Sequence, residues 1–441
     1  MLRIYEEELE FPAIAGHCGL LPYLAGMVRR HLRPGLLPVR FVITETTPTS
    51  YKCELGVVSG LLDAQLEHSC SIFDYAPRVI NNSDAFNAVL LVPTGIGSSI
   101  GGHAGDANPV ARLLASVCDT LITHPNVVNA SDVNDLPENG LYVEGSVISR
   151  VMMGIAGLQP VRANRVLVVI DEHQDKTFTD VAINSVSAAR ASYGLSCPAV
   201  IRLDPPVYMK SVYAPSGRAV GTVERLEGLI AVLEEYRGHY DALAVSTQIE
   251  VPRHYHIDYY TARGDMINPW GGVEAIFTHA ISSLYDIPAA HAPMLESQDV
   301  ANIELGPVDP RMAAEEISNG FFMCVLKGLQ RSPRLVKDVR AGGRPGVLTA
   351  SDIACLVIPD GCVGLPTLAA LEQGIPVIAV GENRNIMRND LALLPWLPGQ
   401  LHRVENYWEA AGVMSALKGG IAPGSVRRPL ADTVHVRRSN P

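Results

Sequence analysis

The chain has 441 residues, of which 47% are hydrophobic and 18% charged, so it is long enough for two or three domains, each with a full core. The formal net charge of −11 argues against a general binder of nucleic acids or anionic membranes, and no apolar run approaches the ~20 residues of a membrane span. Eight cysteines without a C-x-x-C pair, and an acidic N-terminal segment without the apolar core of a signal peptide, predict reduced thiols and a cytoplasmic location.

In the first part of the chain, apolar segments alternate with helical patterns, which predicts an α/β fold with a mostly parallel sheet. The patterns predict one helix and four strands, at Leu20–Leu32, Val39–Thr44, Ala88–Pro93, Thr120–His124 and Leu141–Ile148. The polar stretch Leu158–Arg165 contains a proline and precedes a new apolar strand. We therefore expect an N-terminal domain at residues 1–160 and a C-terminal domain at residues 161–441.

Beyond this stretch the alternation is regular and predicts a second doubly wound unit. Its predicted elements are the strands Val166–Ile170, Ala199–Leu203, Ala242–Ser246, Ile353–Ile358 and Pro376–Val380, and the helices Thr179–Tyr193, Val223–Tyr236, Val273–Leu284, Pro310–Leu329, Leu365–Gln373 and Trp408–Leu417. Two Rossmann-like units of this kind would face each other across a cleft, and open parallel sheets bind ligands beyond the carboxyl ends of their strands. The chemistry is therefore expected in that cleft.

A glycine-dense loop between Pro93 and Pro109 joins an apolar strand to a helix. Glycine permits positive φ and lets backbone N–H groups approach an anion at the start of a helix. Within the loop, His103 and Asp106 are candidates for proton transfer. A structural glycine turn and a nucleotide site are the alternatives, although the chain lacks the lysine of a P-loop and the acidic residue of a dinucleotide site. The candidate anion-binding residues are Gly95, Gly97, Gly101 and Gly102.

Two polar segments follow apolar strands in the first half of the chain. His124 and Asn126 come where a strand ends, a position that points into the cleft, so they are candidates for proton transfer and substrate orientation. Turn chemistry is the alternative for the neighbouring asparagines and aspartates. Glu144 lies in a segment that reads as an apolar strand, so we expect either a catalytic carboxylate or a buried ion pair with Arg150 or Arg165.

A candidate metal site lies in the segment Arg253–Ile276. If this segment is extended, His254, His256 and Asp258 share one face because side chains alternate along a strand. Such a face is typical of a site for zinc, manganese or iron. The neighbouring tyrosines leave a surface or interface strand as the alternative. We therefore leave the cofactor open, with a divalent metal as the candidate.

Four further residues are candidates for the cleft. Trp270 precedes a pair of glycines and would form a pocket wall, while Glu274 falls in the first turn of a helix, where it is either catalytic or a capping residue. His291 ends an apolar segment and is either a cleft residue or a core histidine. Arg311 places a cation at the start of a predicted helix, where the dipole disfavours it, so it needs an acidic partner or an anionic ligand.

A second glycine turn precedes the helix predicted at Leu365–Gln373. Gly361, Cys362 and Gly364 belong to a strand, turn and helix arranged for an anion. A helix N-terminus lowers the pKa of a thiol, so Cys362 is either a reactive thiol or a buried spectator.

Two resemblances follow from these motifs. Over most of the chain, PTGIGSSIGGHAGDANP, THPNVVNASD, PWGGVEAI, VDPRMAAEEIS and PDGCVGLPTLAALEQGIPVIAV resemble a bacterial and plastid family known only as a domain of unknown function. Residues 360–380 are also similar to the closing strand, turn, helix and strand of two-Rossmann-domain glycosyltransferases and nucleotide-sugar 2-epimerases. The matching positions are Gly361, Gly364, Gly374, Pro376 and Val377. The second resemblance implies a related fold, but residues 365–367 lack the acid that holds the donor sugar in those enzymes.

The sequence therefore predicts an enzyme that acts on a small phosphorylated or carboxylated metabolite by acid–base chemistry of the lyase, epimerase or isomerase kind. The glycine-loop amides and Arg311 would hold the anion, and His103 or His124 with Glu274 would move protons. The alternatives are a divalent-metal-dependent hydrolase, a glycosyltransferase-like enzyme and a non-enzymatic ligand-binding protein. Neither nucleic acid nor a membrane is an expected partner, and a homo-oligomer is left open.

Overall fold

The structure is a computed structural model that describes residues 1–14, 19–62, 66, 71–79, 84–263, 266–318, 320–337, 339, 345–430 and 432–438. It confirms the α/β class. Thirteen α-helices lie in the described part of the chain: α1 (Leu20–His31), α2 (Asn108–Ala115), α3 (Pro125–Val128), α4 (Gly145–Met152), α5 (Lys176–Tyr193), α6 (Glu227–Glu235), α7 (Tyr255–Thr261), α8 (Gly271–Tyr285), α9 (Gln298–Ala301), α10 (Ala313–Glu316), α11 (Met323–Arg331), α12 (Leu365–Gln373) and α13 (Tyr407–Lys418).

Twenty strands lie between these helices in the same residues. They are β1 (Arg3–Pro12), β2 (Leu37–Thr46), β3 (Ser50–Ser59), β4 (Asn87–Leu90), β5 (Thr120–Thr123), β6 (Asn129–Ala130), β7 (Val133–Asn134), β8 (Gly140–Tyr142), β9 (Ala156–Gln159), β10 (Val166–Asp171), β11 (Val200–Leu203), β12 (Tyr208–Tyr213), β13 (Ala219–Glu224), β14 (Ala242–Glu250), β15 (Ala289–Met294), β16 (Arg334–Lys337), β17 (Ile353–Pro359), β18 (Val363–Gly364), β19 (Val377–Val380) and β20 (Leu401–Val404). Among the described residues, no helix combines the length and apolar composition needed to cross a bilayer.

The smaller of the two main sheets has six strands, all parallel, in the order β20-β19-β17-β4-β5-β8. Its central strands are buried on both faces, as parallel strands usually are. In β4, Ala88 and Leu90 face a core that contains α2 and α13, whereas Val89 faces a core that contains α1, α4 and α12. This two-sided burial explains why these strands read as continuous apolar runs.

The larger sheet has ten strands and mixes both directions. Its order is β11-β10-β14-β12-β13-β1-β3-β2-β18, with β15 beside β14. Strands β10, β11, β14 and β15 pair in parallel, whereas β1, β2, β3 and β13 form antiparallel ladders. The acidic opening segment is therefore a strand, β1, which pairs with β3 along its whole length.

The predicted boundary between residues 160 and 161 does not separate the sheets. Strand β4 pairs with β17, so the six-stranded sheet combines segments from both predicted domains. Strand β1 likewise pairs with β13 across that boundary. The chain leaves the six-stranded sheet after β8, builds the parallel part of the large sheet, and returns with β17. Local patterns predicted the strands, but their pairing is decided by long-range packing that the patterns do not encode.

Three predicted elements differ from the structure. The strand predicted at Leu141–Ile148 is the end of β8 followed by α4. The helix predicted at Val223–Tyr236 begins only at Glu227, because β13 continues to Glu224. The helix predicted at Pro310–Leu329 is two helices, α10 and α11, with Phe321 between them at a φ of 50°. In each case a short apolar run satisfied more than one periodicity, and the tertiary packing decided between them.

Helix α8 begins in unusually close contact with the protein backbone. A Cβ added to Gly272 would lie 1.8 Å from the carbonyl oxygen of Ala219 in β13, and one on Gly271 would lie 2.0 Å from Thr94 Oγ1. Gly95 in the glycine-dense loop also packs against the Ala219 carbonyl, since a Cβ added to it would lie 2.6 Å from that oxygen. The two glycine segments therefore serve a common packing role, which fixes the start of α8.

We predict opposite effects for two glycine-to-alanine substitutions in helices. Gly272→Ala should lower the free energy of unfolding by about 3 kcal/mol or more, because the Cβ must displace backbone. Gly412→Ala in α13 should raise it by about 1 kcal/mol, because a Cβ there meets nothing within 4 Å and alanine favours helix. Chemical denaturation measures both. Equal effects of the two changes would contradict the packing role of Gly272.

Candidate functional site

A cavity of about 420 Å³ lies between α8, β2, α4, β15 and the start of α12. Nine of the residues predicted for a site line it, although they come from six separate segments. They form six short groups along the chain: His124 with Asn126, Glu144, His256, Trp270 with Glu274, His291, and Cys362 with Gly364. The structure therefore gathers about half of the predicted site residues around one space.

Glu274 reaches the cavity from the first turn of α8 and is backed by two buried groups. Its Oε2 lies 2.9 Å from His291 Nδ1, and His291 Nε2 lies 2.8 Å from Thr247 Oγ1. The His291 ring is fully buried, whereas 23% of the Glu274 side chain is exposed. The carboxylate is thus the member of this chain that a ligand in the cavity can touch, and His291 orients it.

Glu315 in α10 is a second carboxyl group on the cavity. Its Oε1 accepts a hydrogen bond of 2.6 Å from the Ala104 amide, and Tyr259 also bonds to it. Burial raises the pKa of Glu315 to about 7, and the negative charges of Asp106 and, to a smaller extent, Glu274 add to that rise. Two carboxyl groups in different surroundings therefore share one cavity, and one of them titrates near neutrality.

The predicted catalytic residues His103 and Asp106 are not among the described residues that line the cavity. His103 Nδ1 lies 2.7 Å from the Tyr259 hydroxyl, so its ring stands behind Glu315 rather than in the cavity. Burial lowers the pKa of His103 to about 4 and raises that of Asp106 to about 7. Asp106 accepts a hydrogen bond of 2.8 Å from the Gly101 amide, which folds the loop on itself.

Several amides of the glycine loop already have partners within the protein. Ser99, Ile100 and Ala104 donate their N–H groups to residues outside the loop, and Gly101 donates to Asp106 within it. The four glycines predicted to bind an anion pack against the protein instead, because an added Cβ would lie within 3 Å of a neighbouring atom at Gly95, Gly97, Gly101 and Gly102. Positive φ is confirmed at the first three of them, but it serves packing.

Glu144 is not inside a strand but at the N-cap of α4. It accepts hydrogen bonds from the amides of Ser146 and Val147 at 2.9 and 3.2 Å, and its Oε1 lies 3.1 Å from His279 Nε2. The expected arginine partners bind elsewhere: Arg150 to Asp286 and Arg165 to Asp241. The expected ion pair with an arginine is therefore not formed, and capping of α4 together with the contact to His279 occupies the Glu144 carboxylate.

His124 lines the cavity as a neutral ring. The Val92 amide donates to its Nε2 over 3.1 Å, which leaves the proton on Nδ1. Burial lowers the pKa of His124 to about 4. Asn126 is held by hydrogen bonds from its Nδ2 to the carbonyls of Val92 and Gly101, at 3.0 and 2.8 Å. Both residues therefore fix the loop to β4, and the His124 ring also contributes to the cavity wall.

Two buried arginines that the sequence did not single out line the cavity near α12. Arg40 in β2 is 3.2 Å from Glu6, and Arg218 pairs with Glu54 and, at 3.4 Å, with Glu6. Burial and the charge of Arg218 lower the pKa of Arg40 to about 10. In the described part of the chain, Arg218 Nε and Nη2 have no hydrogen-bond partner.

The N-terminus of α12 opens on the same side. Gly364 pairs with Val42 of β2, so the first turn of α12 lies beside Arg40, and residues 363–367 line the cavity. Gly364 provides no side-chain cap, which leaves the positive end of the helix dipole available. The predicted substrate-binding residues Cys362 and Gly364 lie here, whereas Gly361 is not among the described lining residues. Burial raises the pKa of the Cys362 thiol, which favours the spectator interpretation.

The predicted metal site is wrong. The segment is helix α7 rather than a strand, so His254 and Asp258 share one face while His256 points elsewhere, into the cavity. His256 Nε2 lies 3.0 Å from Glu296, and its ring stacks near Trp270. Among the described residues, no group of three or more His, Cys, Asp or Glu side chains is placed to hold a metal ion.

Arg311 also lies away from the described lining of the cavity. Its guanidinium binds both carboxylate oxygens of Asp309, at 3.0 and 2.9 Å, and the carbonyl of Arg263. The acidic partner that the sequence required is therefore two residues away in the chain.

The site also contains residues that the sequence analysis missed: Arg40, Arg218, His279, Glu296 and Glu315. One signal was present for α8, since Glu274, Thr278 and His279 form a polar stripe with helical spacing on an otherwise apolar helix. Arg40 interrupts an apolar strand, which is a second signal. Arg218 follows a turn, and nothing in its neighbourhood marks it.

Comparison with known proteins identifies the family of this chain. Residues 87–427, more than half of the chain, match the family model described as a protein of unknown function (DUF3326). The chain belongs to this family. It is also 33% identical over 348 residues to a protein described as uncharacterized lipoprotein syc1174_c from Synechococcus sp. (strain ATCC 27144 / PCC 6301 / SAUG 1402/1). The aligned region covers 78% of this chain and 93% of the relative. No solved structure matches the chain.

The description of this relative as a lipoprotein contradicts the cytoplasmic location expected from the sequence. The expectation was based on composition, on the cysteine pattern and on the acidic N-terminal segment. A covalently attached lipid anchors an otherwise ordinary globular domain, so composition does not report it.

We predict that Glu315 titrates near pH 7, visible in ¹³C NMR spectra of glutamate-labelled protein and absent in Glu315→Gln. Its folded pKa is raised, so its stability contribution is full below pH 4.5 and is lost as the pH rises to about 7. The wild type should therefore lose up to about 3 kcal/mol across this window relative to Glu315→Gln. Glu235→Gln on the exposed face of α6 is the matched control and should behave as the wild type. If the free energy of unfolding depends on pH identically in all three proteins, the raised pKa of Glu315 is refuted.

Proposed function

We propose that the cavity is the active site of an enzyme that moves a proton on a small carboxylated or phosphorylated metabolite, in a reaction of the lyase, epimerase or isomerase kind. The observation that carries this proposal is the pair Glu274 and Glu315, two carboxyl groups with different surroundings on one cavity. Environments that push two pKa values apart are how acid–base enzymes assign an acid and a base.

Glu274 is suited to act as the general base. It presents its carboxylate to the cavity, and the buried His291 ring donates to it from Nδ1. Thr247 holds the other ring nitrogen, so the imidazole cannot rotate away from the carboxylate. A base held in this way keeps its orientation when a substrate displaces water from the cavity.

Glu315 is suited to act as the general acid. With a pKa of about 7 it still carries its proton in half of the molecules at neutral pH, which is the range in which a carboxyl group donates effectively. The Ala104 amide and Tyr259 hold it in place, and Tyr259 connects it to His103. His103 is therefore a positioning residue in this proposal.

The anion of the substrate would bind at Arg40 and the N-terminus of α12. Arg40 keeps one hydrogen bond to Glu6, and 11% of its side chain is exposed to the cavity. The uncapped first turn of α12 lies beside it and adds backbone N–H donors. This arrangement takes over the role that the sequence analysis gave to the glycine loop and Arg311.

The proposal predicts exchange of a carbon-bound hydrogen. We expect the purified protein, incubated in D₂O with a mixture of small carboxylated and phosphorylated metabolites, to incorporate deuterium into one of them, detected by mass spectrometry. Glu274→Gln should slow this incorporation by about 10²- to 10⁴-fold, because the change removes the base. Glu235→Gln, the same change on an exposed helix, should leave the rate unchanged.

Two outcomes would contradict the proposal. If Glu274→Gln incorporates deuterium as fast as the wild type, Glu274 is not the base. A metabolite that co-purifies or binds without incorporating deuterium in the wild type would identify a non-enzymatic ligand-binding protein instead.

A further inference from the structure

Helix α8 runs along the cavity, and different charged groups lie near its two ends. Trp270 lines one end of the cavity and His279 lines the other. At ~1.5 Å per residue, these two positions are roughly 14 Å apart along the helix axis. Glu274 lies between them and faces the same space.

Near His279 the cavity is lined by Arg40, Arg150 and Arg218. Carboxylates pair with all three arginines, and Glu144 lies 3.1 Å from His279 Nε2. A Cβ added to Gly56 would lie 2.7 Å from Ile276 and 3.1 Å from the Arg40 side chain, and Arg150 donates to the Ser282 carbonyl over 2.9 Å. Both arginines therefore approach α8 within one turn of His279. Arg218 adds a fully buried guanidinium whose Nε and Nη2 have no partner among the described residues. Buried donors without partners are costly, and a bound anion would satisfy them.

The end near Trp270 is anionic. Glu296 and Glu316 line it together with Glu315. Within the described residues, the charged partner of Glu296 is His256, and no ion pair involves Glu316. No lysine lines the described cavity, and the arginines that line it are Arg40, Arg150 and Arg218.

A second observation points to a ligand at this acidic end. Ser131 lines the cavity, only 5% of the residue is exposed, and its Oγ has no hydrogen-bond partner in the described chain. The next residue, Asp132, binds the Ser318 hydroxyl, which places Ser131 beside α10 and Glu316. Trp270 and Tyr260 complete the wall with aromatic faces, which attract cations.

We propose that the ligand of this cavity is dipolar, with a carboxylate or phosphate held at Arg40 and an ammonium group held by Glu296, Glu316 and the Trp270 wall. This inference rests on the proposed function, because it names the substrate class of the same site. The carbon that loses its proton to Glu274 then lies between the two charged groups. A chain of several atoms between the charges fits the separation of the two ends.

Binding of matched probes tests the inference. The test is a calorimetric titration of the full chain with 6-aminohexanoate, hexanoate and hexylamine. Titrations with 4-aminobutanoate and 8-aminooctanoate vary the distance between the two charged groups. The dipolar probe of best length should bind at least about tenfold more tightly than hexanoate or hexylamine, because its two groups are linked. The double variant Glu296→Gln, Glu316→Gln should bind it only as tightly as hexanoate, with hexanoate binding unchanged. Glu10→Gln, Glu235→Gln on the exposed surface is the matched control and should retain the full advantage.

The possible failures are distinguishable. Equal binding of hexanoate and every dipolar probe would overturn the dipolar ligand but leave an anion-binding active site. If hexylamine binds and hexanoate does not, the anion-binding role of Arg40 and the α12 N-terminus is overturned, and so is that part of the proposed function. If no probe binds, the dipolar ligand is overturned, while deuterium incorporation still decides the proposed function separately.

Discussion

The steric contact between Gly272 and the Ala219 carbonyl sets the geometry on which the cavity depends. Only a residue without a Cβ allows α8 to begin so close to β13. From this fixed start the helical repeat carries Glu274, Thr278 and His279 onto one face, so their positions in the cavity follow from a single contact. The glycine-dense loop approaches the same carbonyl, which explains why two glycine-rich segments far apart in the sequence belong to one packing arrangement.

The second constraint is the compensation of buried charge. Arg40, Arg218, Glu6 and Glu54 form a buried group with two charges of each sign, contributed by β1, β2, β3 and the turn before β13. Removing one member would leave an uncompensated charge in a region of low dielectric constant, which is strongly destabilising. Three of the four residues precede the segment 87–427 that matches the family model, so one wall of the cavity depends on strands outside that segment.

The sequence predicted most elements of the six-stranded sheet because its strands are buried on both faces and its helices have clear periodicity. It did not predict that β4 pairs with β17, since nothing local records a contact between positions so far apart in the chain. Short segments failed for a different reason: His254–Asp258 fits a strand and a helix equally well until α7 packs. Glu274 and His291 were selected because they lie near the ends of elements, and both line the cavity. Arg218 becomes a lining residue only through topology.

The electrostatic coupling between Glu274 and Glu315 has a consequence for the proposed proton transfer. The negative charge of Glu274 raises the pKa of Glu315. When Glu274 accepts a proton from the substrate, that repulsion disappears, and the pKa of Glu315 falls. Glu315 then becomes the stronger acid at the moment when the developing anion needs a proton. The pair carries one negative charge before and after such an exchange, and that charge is on the substrate in between, so the buried cavity never has to accommodate a second full carboxylate charge. A site that conserves its charge in this way is suited to isomerase and epimerase chemistry, in which one proton is taken and one is returned.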